Sequence, residues 1–207
     1  MYDLTQFDDF DEFKKYTLDE CFVPLTYEGG IYGLPEGMGF NVMFYRTDIF
    51  EQLDMEAPKS WTEVVDVLLP QLYSYNMQFW MPGETDMFVY QEGAEYYSDT
   101  RYTSLVDSPE FMKGFETMIK FYTDYGCPIS ASFLNRFRSG EMPIGITNFT
   151  VYNTLVVSAP EIKGLWDFTL VPGTETVDAN GKKDIDRSAF ISGSATMMIK
   201  TEDQKLR

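Results

Sequence analysis

The chain has 207 residues, 44% of them hydrophobic, which is enough apolar material for one sizeable core or two small ones. It carries 33 acidic and 16 basic residues and no histidine, a formal net charge of −17. That balance excludes nucleic-acid binding and charge-driven attachment to anionic membranes, and the missing imidazole excludes Ser-His-Asp and Cys-His hydrolases.

A zinc enzyme would depend on Cys21, Cys127 and carboxylates, and the two cysteines form no ligand-like cluster. They can pair or stay reduced, and the reading favours two free thiols, because 106 positions of separation say nothing about proximity. No apolar run approaches the length of about 20 residues needed to span a bilayer, and no signal peptide precedes the first acidic segment.

In chain order, residues 3–20 hold seven acidic side chains around Phe7, Phe10, Phe13 and Tyr16, a spacing of three that predicts a short amphipathic helix or turn series. Tyr27-Glu-Gly-Gly-Ile-Tyr32 reads as a β-hairpin turning at Gly29-Gly30. The glycine-rich Glu36-Gly-Met-Gly-Phe40 leads into a strand over Val42–Tyr45. Thr47-Asp48 then opens a brief helix around Ile49, Phe50 and Leu53. Ser60-Trp-Thr-Glu63 has the spacing of a capping box, with Val64, Val65, Leu68 and Leu69 as the buried face and Pro70 ending or kinking the helix. Trp61 is read as a packing residue.

From Trp61 to Thr100 there is no Lys or Arg, against seven acidic residues. Ser108-Pro-Glu110 starts the clearest helix, with Phe111, Phe115, Met118, Ile119 and Tyr122 at helical spacing and Gly126 beyond its end. A shorter helix over Phe133–Ser139 leads through Gly140 to a strand over Met142–Thr147. Another helix, Thr150–Ser158, stops before Pro160, and Leu165–Val171 is a strand. Asn180-Gly181 marks a turn before a strand pair, Ala189–Ser192 and Ala195–Lys200. Thr201, Glu202 and Asp203 form a helix start at the very end. Strands alternate with helices, so the fold class is α/β. Both ends read as boundaries set inside a longer protein.

Four segments in order carry a family likeness: Tyr32-Gly-Leu-Pro35 running to Phe44-Tyr-Arg-Thr-Asp-Ile-Phe50; Pro58-Lys-Ser-Trp-Thr-Glu63; Phe137-Arg-Ser-Gly-Glu-Met-Pro-Ile-Gly-Ile146; and Ser158-Ala-Pro-Glu-Ile-Lys163 running to Phe168-Thr-Leu-Val-Pro-Gly173. Each is weak alone, but together they resemble the extracellular solute-binding proteins of ABC importers, the maltose-binding-like and lipoprotein type. The resemblance implies a periplasmic-binding-protein-like (type II) fold, two α/β lobes joined by crossing strands with ligand held in the cleft. Residues 41–47 and 166–172 become the crossings and 48–165 most of the second lobe. Residues 1–40 and 173–207 become pieces of a first lobe that is otherwise missing. It further implies a saccharide ligand, ABC permease subunits as partners, no cofactor, a monomer, and an extracellular, cell-envelope location.

Saccharide sites stack aromatic rings on pyranose faces and bond the hydroxyls with Asp, Glu, Asn and Arg. The 34 aromatics permit this without proving it. The resemblance points to Asn148, Phe149 and Tyr152 after the 142–147 strand, where Asn148 serves equally well as an N-cap and the rings equally well as core. Asn148-Phe-Thr150 also matches a glycosylation sequon, read as coincidence. In Phe79–Tyr90, Trp80 is the stacking candidate and Glu84 and Asp86 the hydroxyl binders, an exposed acidic loop being the plainer reading. Met38 and Phe40 flank glycines that allow close backbone approach, although no dinucleotide fingerprint is formed. Arg136 and Arg138 read as solvated. The rival function is a glycoside hydrolase working with paired carboxylates, but nothing isolates two acids among 33. A sensor ectodomain is the other alternative.

Overall fold

In the computed structural model, which describes residues 1–100, 102–177 and 181–201, the N-terminal segment is held by local capping. Asp3 accepts from Thr5 N at the start of a 3₁₀ turn, Leu4–Gln6, and from Ile31 N. These bonds, led by that from Thr5, hold its carboxyl below the usual carboxylate range. Helix α1 (Phe10–Lys14) and a 3₁₀ run, Asp19–Leu25, bring Phe10 and Phe13 edge-on to Phe22 over Leu4. Strands β1 (Thr26–Tyr27) and β2 (Gly30–Ile31) form the expected hairpin, its turn at Glu28 (φ +47°) and Gly29 (φ +83°). Gly30 itself lies in the strand.

Strand β3 spans Leu34–Arg46 and is longer than the sequence suggested, because the glycine-rich approach is itself extended. Then come α2 (Thr47–Gln52), α3 (Trp61–Glu63), a π-helical turn (Val64–Leu68) and α4 (Leu69–Ser74). Next are β4 (Phe79–Trp80), α5 (Asp86–Gln91), α6 (Pro109–Thr123), α7 (Phe133–Ser139), β5 (Ile144–Asn148) and α8 (Val151–Ser158). The chain ends with β6 (Trp166–Thr169), β7 (Thr174–Val177), β8 (Lys183–Asp186) and β9 (Ile191–Thr196). Contacts divide it into two compact units, residues 1–39 with the described residues from 191 onward, and residues 40–190. Residues 173–190 therefore belong to the larger unit.

In the larger unit the strand order is β4-β5-β3-β6, with β4 parallel to β5 and β3 antiparallel to both β5 and β6. Alternation along β3 splits the core into two layers. Met43, with Ile144 and Ile146 of β5, packs on Trp61, Leu69, Leu72, Phe88 and Phe121 from α3 to α6. Val42 and Phe44 pack on Phe133, Phe137, Leu155 and Ile162 around α7 and α8. Helices thus cover both faces of the sheet, as an α/β architecture requires. In the smaller unit, β9 pairs with the first part of β3, where Ser192 Oγ donates to Gly39 O.

Several expectations need correction. Pro70 does not end the helix, which runs on to Ser74. It has no N–H to donate and its ring would meet the carbonyl four residues back, and the π turn before it, where Leu69 N reaches Val64 O, absorbs the conflict. The capping box reaches one residue further than its pattern: Ser60 Oγ accepts from Glu63 N, but the Glu63 carboxylate accepts from Lys59 N. Helix α6 buries Phe111, Gly114, Met118 and Phe121, leaving Phe115 and Ile119 exposed. The reason is Gly114, where a Cβ would stand 2.8 Å from Phe88 O, so the face that lets α5 approach is set by the smallest residue. Ala189–Ser192 and Ala195–Lys200 are not two strands but overlap the single strand β9. The Asn180-Gly181 turn and the helix start at Glu202 and Asp203 fall at least partly outside the described residues. The β7–β8 hairpin was not anticipated.

Two buried polar groups fasten the larger unit. The Arg46 guanidinium, 7% exposed, donates to both Asp48 oxygens (2.8 and 2.6 Å) and to Phe137 O and Arg138 O (3.1 Å each) at the end of α7. It holds the Asp48 carboxyl below its usual range. Gln91, at the end of α5, accepts from Trp61 Nε1 (2.7 Å) and Thr174 Oγ1 (3.2 Å), and donates to Pro172 O and Ser188 O. Arg136 and Arg138, read as solvated, pair with Glu141 and Glu161.

Replacing Gln91 by Leu keeps the volume but orphans these partners. The expected loss is about 3 kcal/mol in urea unfolding. A loss below about 1 kcal/mol would show that the network is incidental.

Both cysteines are free, as expected, but only Cys127 is buried, and burial pushes its thiol up to about 12. Half-buried Cys21 donates to Met38 Sδ at 2.8 Å. A thiol-reactive chromophore at pH 8 should label one cysteine per native chain and two per unfolded chain. Two labelled in the native state would refute the burial of Cys127.

Candidate functional site

The candidate site is the end of the sheet where the parallel pair β4 and β5 finishes. Asn41 on β3 lies opposite Asn148 on β5, and Phe149 N extends the ladder by donating to Phe40 O (2.9 Å). Asn148 Oδ1 then accepts from Thr150 N and turns the chain into α8. That turn delivers Phe149 and Tyr152 beside Phe40. The rings of Phe40 and Phe149 stack at 5.2 Å and 13°, those of Phe149 and Tyr152 at 5.6 Å and 16°. Phe168 of β6 stands edge-on to Phe149 (5.3 Å) and Tyr152 (6.0 Å), and Trp166 edge-on to Tyr152 (5.6 Å). Phe40, Tyr152 and Phe168 keep 38%, 37% and 37% of their surface in solvent.

Polar groups accompany the rings. Asn41 Nδ2 donates to Glu84 Oε2 at 2.7 Å, which holds the loop after β4 at this end of the sheet. Asn148 is not the N-cap of α8, which is Thr150; its Oδ1 closes an Asx turn on Thr150 N, and its Nδ2 has no hydrogen bond among the described residues. The surface offers flat apolar faces, a free amide and a carboxylate, a set suited to a polyhydroxylated ligand with apolar ring faces.

The structure thus brings Phe40, Phe149, Tyr152, Asn148 and Glu84 to one end of the sheet. The other three candidates have different neighbours. Trp80 is half buried against the layer of Val42, Phe44 and Phe133. Its Cβ and the Phe133 ring lie so close to Gly145 that a Cβ there would stand 2.5 and 2.7 Å from them. These contacts pack it into that layer. Asp86 begins α5, where its carboxylate acts on Tyr90 and Tyr96. Met38 lies in the smaller unit, against Cys21. Sequence reading missed Asn41, Trp166 and Phe168. The alternation Trp166-Asp-Phe168, with aromatics on one face of a short strand, was the available signal.

Two concavities have none of these candidate residues in their lining. One of about 560 Å³ is lined by Tyr90, Glu95, Tyr96, Tyr97, Ser98 and Asp99, and one of about 440 Å³ by residues between Asp54 and Gln71. The aromatic stack is an open surface. Among the described residues no group of three or more Cys, Asp or Glu is arranged to hold a metal ion.

Residues 1–205 match the model of the family described as bacterial extracellular solute-binding protein. The chain belongs to that family. Its fold is the one shared by ABC solute-binding proteins of known structure. An ABC substrate-binding protein from Listeria monocytogenes, in complex with cycloalternan, superposes with TM-score 0.75 at 17% identity, covering 100% of this chain and 54% of that one. Maltose-bound T. maritima MalE3 gives TM-score 0.73 at 18% identity (96% and 53%). A Thermotoga lettingae ABC transporter solute-binding protein bound with α-D-tagatose gives 0.71 at 19% (89% and 51%). This solute-binding chain spans about half the length of those structures. No curated protein matches it in sequence. No helix among the described residues is long and apolar enough to cross a membrane.

The two aromatic roles in this solute-binding chain separate by stability. Trp80→Ala should lower the unfolding free energy by about 2–3 kcal/mol, and Tyr152→Ala by less than about 1 kcal/mol, by chemical denaturation. Equal losses would contradict the assignment of Trp80 to packing and Tyr152 to the surface.

Proposed function

We propose that this solute-binding chain captures a carbohydrate for an ABC importer, and that residues 40–190 supply one wall of its binding cleft. The supporting observation is the Phe40–Phe149–Tyr152 stack at the end of the sheet, flanked by Asn41–Glu84 and Asn148. Phe149 is the middle ring, covered by the other two. The outer faces of Phe40 and Tyr152, with Phe168, are the surfaces on which a pyranose would lie. The Asn148 amide and the Glu84 carboxylate would take its hydroxyls.

Under this reading residues 41–47 and 166–172 act as the strands about which two lobes close, with residues 48–165 in the second lobe. Closure buries the ligand from both sides and creates the shape that a membrane permease recognises. The protein works outside the membrane, attached to the cell envelope, as a monomer. It makes and breaks no bond. Ligands named for proteins of similar fold, maltose, cycloalternan and tagatose, are all saccharides, and the first two are oligosaccharides, which favours an oligosaccharide here.

Calorimetry and thermal shift with maltose and longer oligosaccharides test the proposal on a chain extended to the length of its solved relatives. One saccharide should bind and raise the melting temperature, and Tyr152→Ala should weaken it about ten-fold. The 207-residue chain alone should bind far more weakly. Sub-micromolar binding by that shorter chain, or an unchanged affinity in Tyr152→Ala, would overturn the two-wall cleft.

A further inference from the structure

The 560 Å³ concavity shares no lining residue with the aromatic stack. Its walls are rings held by their own packing. Tyr90 stands 6.2 Å from Tyr96 at 64° and lies parallel to Phe190 at 6.5 Å, while Tyr96 is fixed edge-on to Phe111 at 5.0 Å. Backbone bonds from Leu105 N to Tyr96 O and from Ser98 N to Thr103 O close the loop that carries the third ring, Tyr97. Tyr97 is exposed, with no ring neighbour among the described residues.

The polar lining is acidic: Glu95 and Asp99, with Asp86 beside both Tyr90 and Tyr96. Burial, then the Asp86 and Glu95 carboxylates, raise Tyr90, and burial with Asp86 pushes Tyr96 up to about 12. None of the described lining residues is basic. Lys113 of α6 is paired with Glu92 at 2.6 Å. A neutral ligand without hydrogen-bond donors would desolvate the carboxylates without compensation, whereas a cation offsets their charge and is attracted to ring faces.

We propose that this pocket binds an organic ammonium group, with Tyr90, Tyr96 and Tyr97 presenting ring faces and Glu95 and Asp99 supplying the opposing charge. The site is distinct from the one proposed for saccharide. A ligand bearing a methylated or primary ammonium fits its chemistry, and an uncharged group of the same shape does not.

The test uses the full chain and needs no saccharide, so its outcome is independent of the carbohydrate reading. Tetramethylammonium chloride and its uncharged analogue tert-butanol are titrated at constant ionic strength, with saturation-transfer NMR of their methyl signals as readout. Tetramethylammonium should bind saturably, and tert-butanol at least about ten-fold more weakly. Glu95→Gln and Tyr97→Ala should each weaken the ammonium about five-fold. Equal responses to the two probes, no saturation up to about 100 mM, or unchanged binding in both variants would overturn the proposal. Comparing the probes on the unaltered chain decides even if a variant fails to fold.

Discussion

The larger unit depends on the hydrogen bonding of β3 along both of its edges. From Asn41 to Tyr45 it pairs with β5, and from Met43 to Arg46 with β6. Because side chains alternate with a period of two, a slip of one residue would send Met43 to the α7–α8 face and Phe44 to the α3–α6 face. The register is therefore fixed from both sides of the sheet at once. It also fixes what lies at the two ends of this paired stretch: Phe40 and Asn41 at the aromatic surface, and Arg46 in the carbonyl clamp under α7.

Around that strand, small residues and buried polar groups decide how closely the layers approach. Gly145 lets β4 bring Trp80 against the sheet, and Gly114 lets α5 lie on α6. Gly173 N donates to Lys59 O while Trp61 N donates to Gly173 O, tying the segment after β6 to the start of α3. A Cβ at Gly173 would stand 2.3 Å from Asp186 O, so the β7–β8 hairpin closes over it. Gln91 completes the junction with bonds to both flanking segments. These contacts gather residues 173–190 into the unit that begins at Phe40.

Much of this was legible in the sequence because it is local. Ser60 and Ser108 accept from the amide three residues on, Gly140 adopts φ +83° after α7, and the hairpin turns at Gly29, as residue type and spacing require. The ordered motifs carried the family. What could not be read depends on pairs distant in sequence. Large apolar residues pointed to Phe115 and Ile119 as the buried face of α6, but Gly114 chose the face through a contact with α5. Pro70 read as a stop because its cost is local, whereas the π turn that absorbs it is supported by packing of Val64 and Leu68. At the candidate site the stacked residues were within reach, since one turn delivers Phe149 and Tyr152. Phe168 and Asn41 were not, because only strand register brings them there.

The Phe40–Phe149–Tyr152 stack draws its rings from a strand, a turn and a helix, each locked by its own backbone bonds. Such a surface has already surrendered its side-chain freedom during folding. A molecule settling on it immobilises little that was mobile, so contact energy is not spent on ordering the protein. A preformed surface of this kind also adapts poorly. It selects among ligands by shape, admitting those whose flat faces match the spacing of fixed rings.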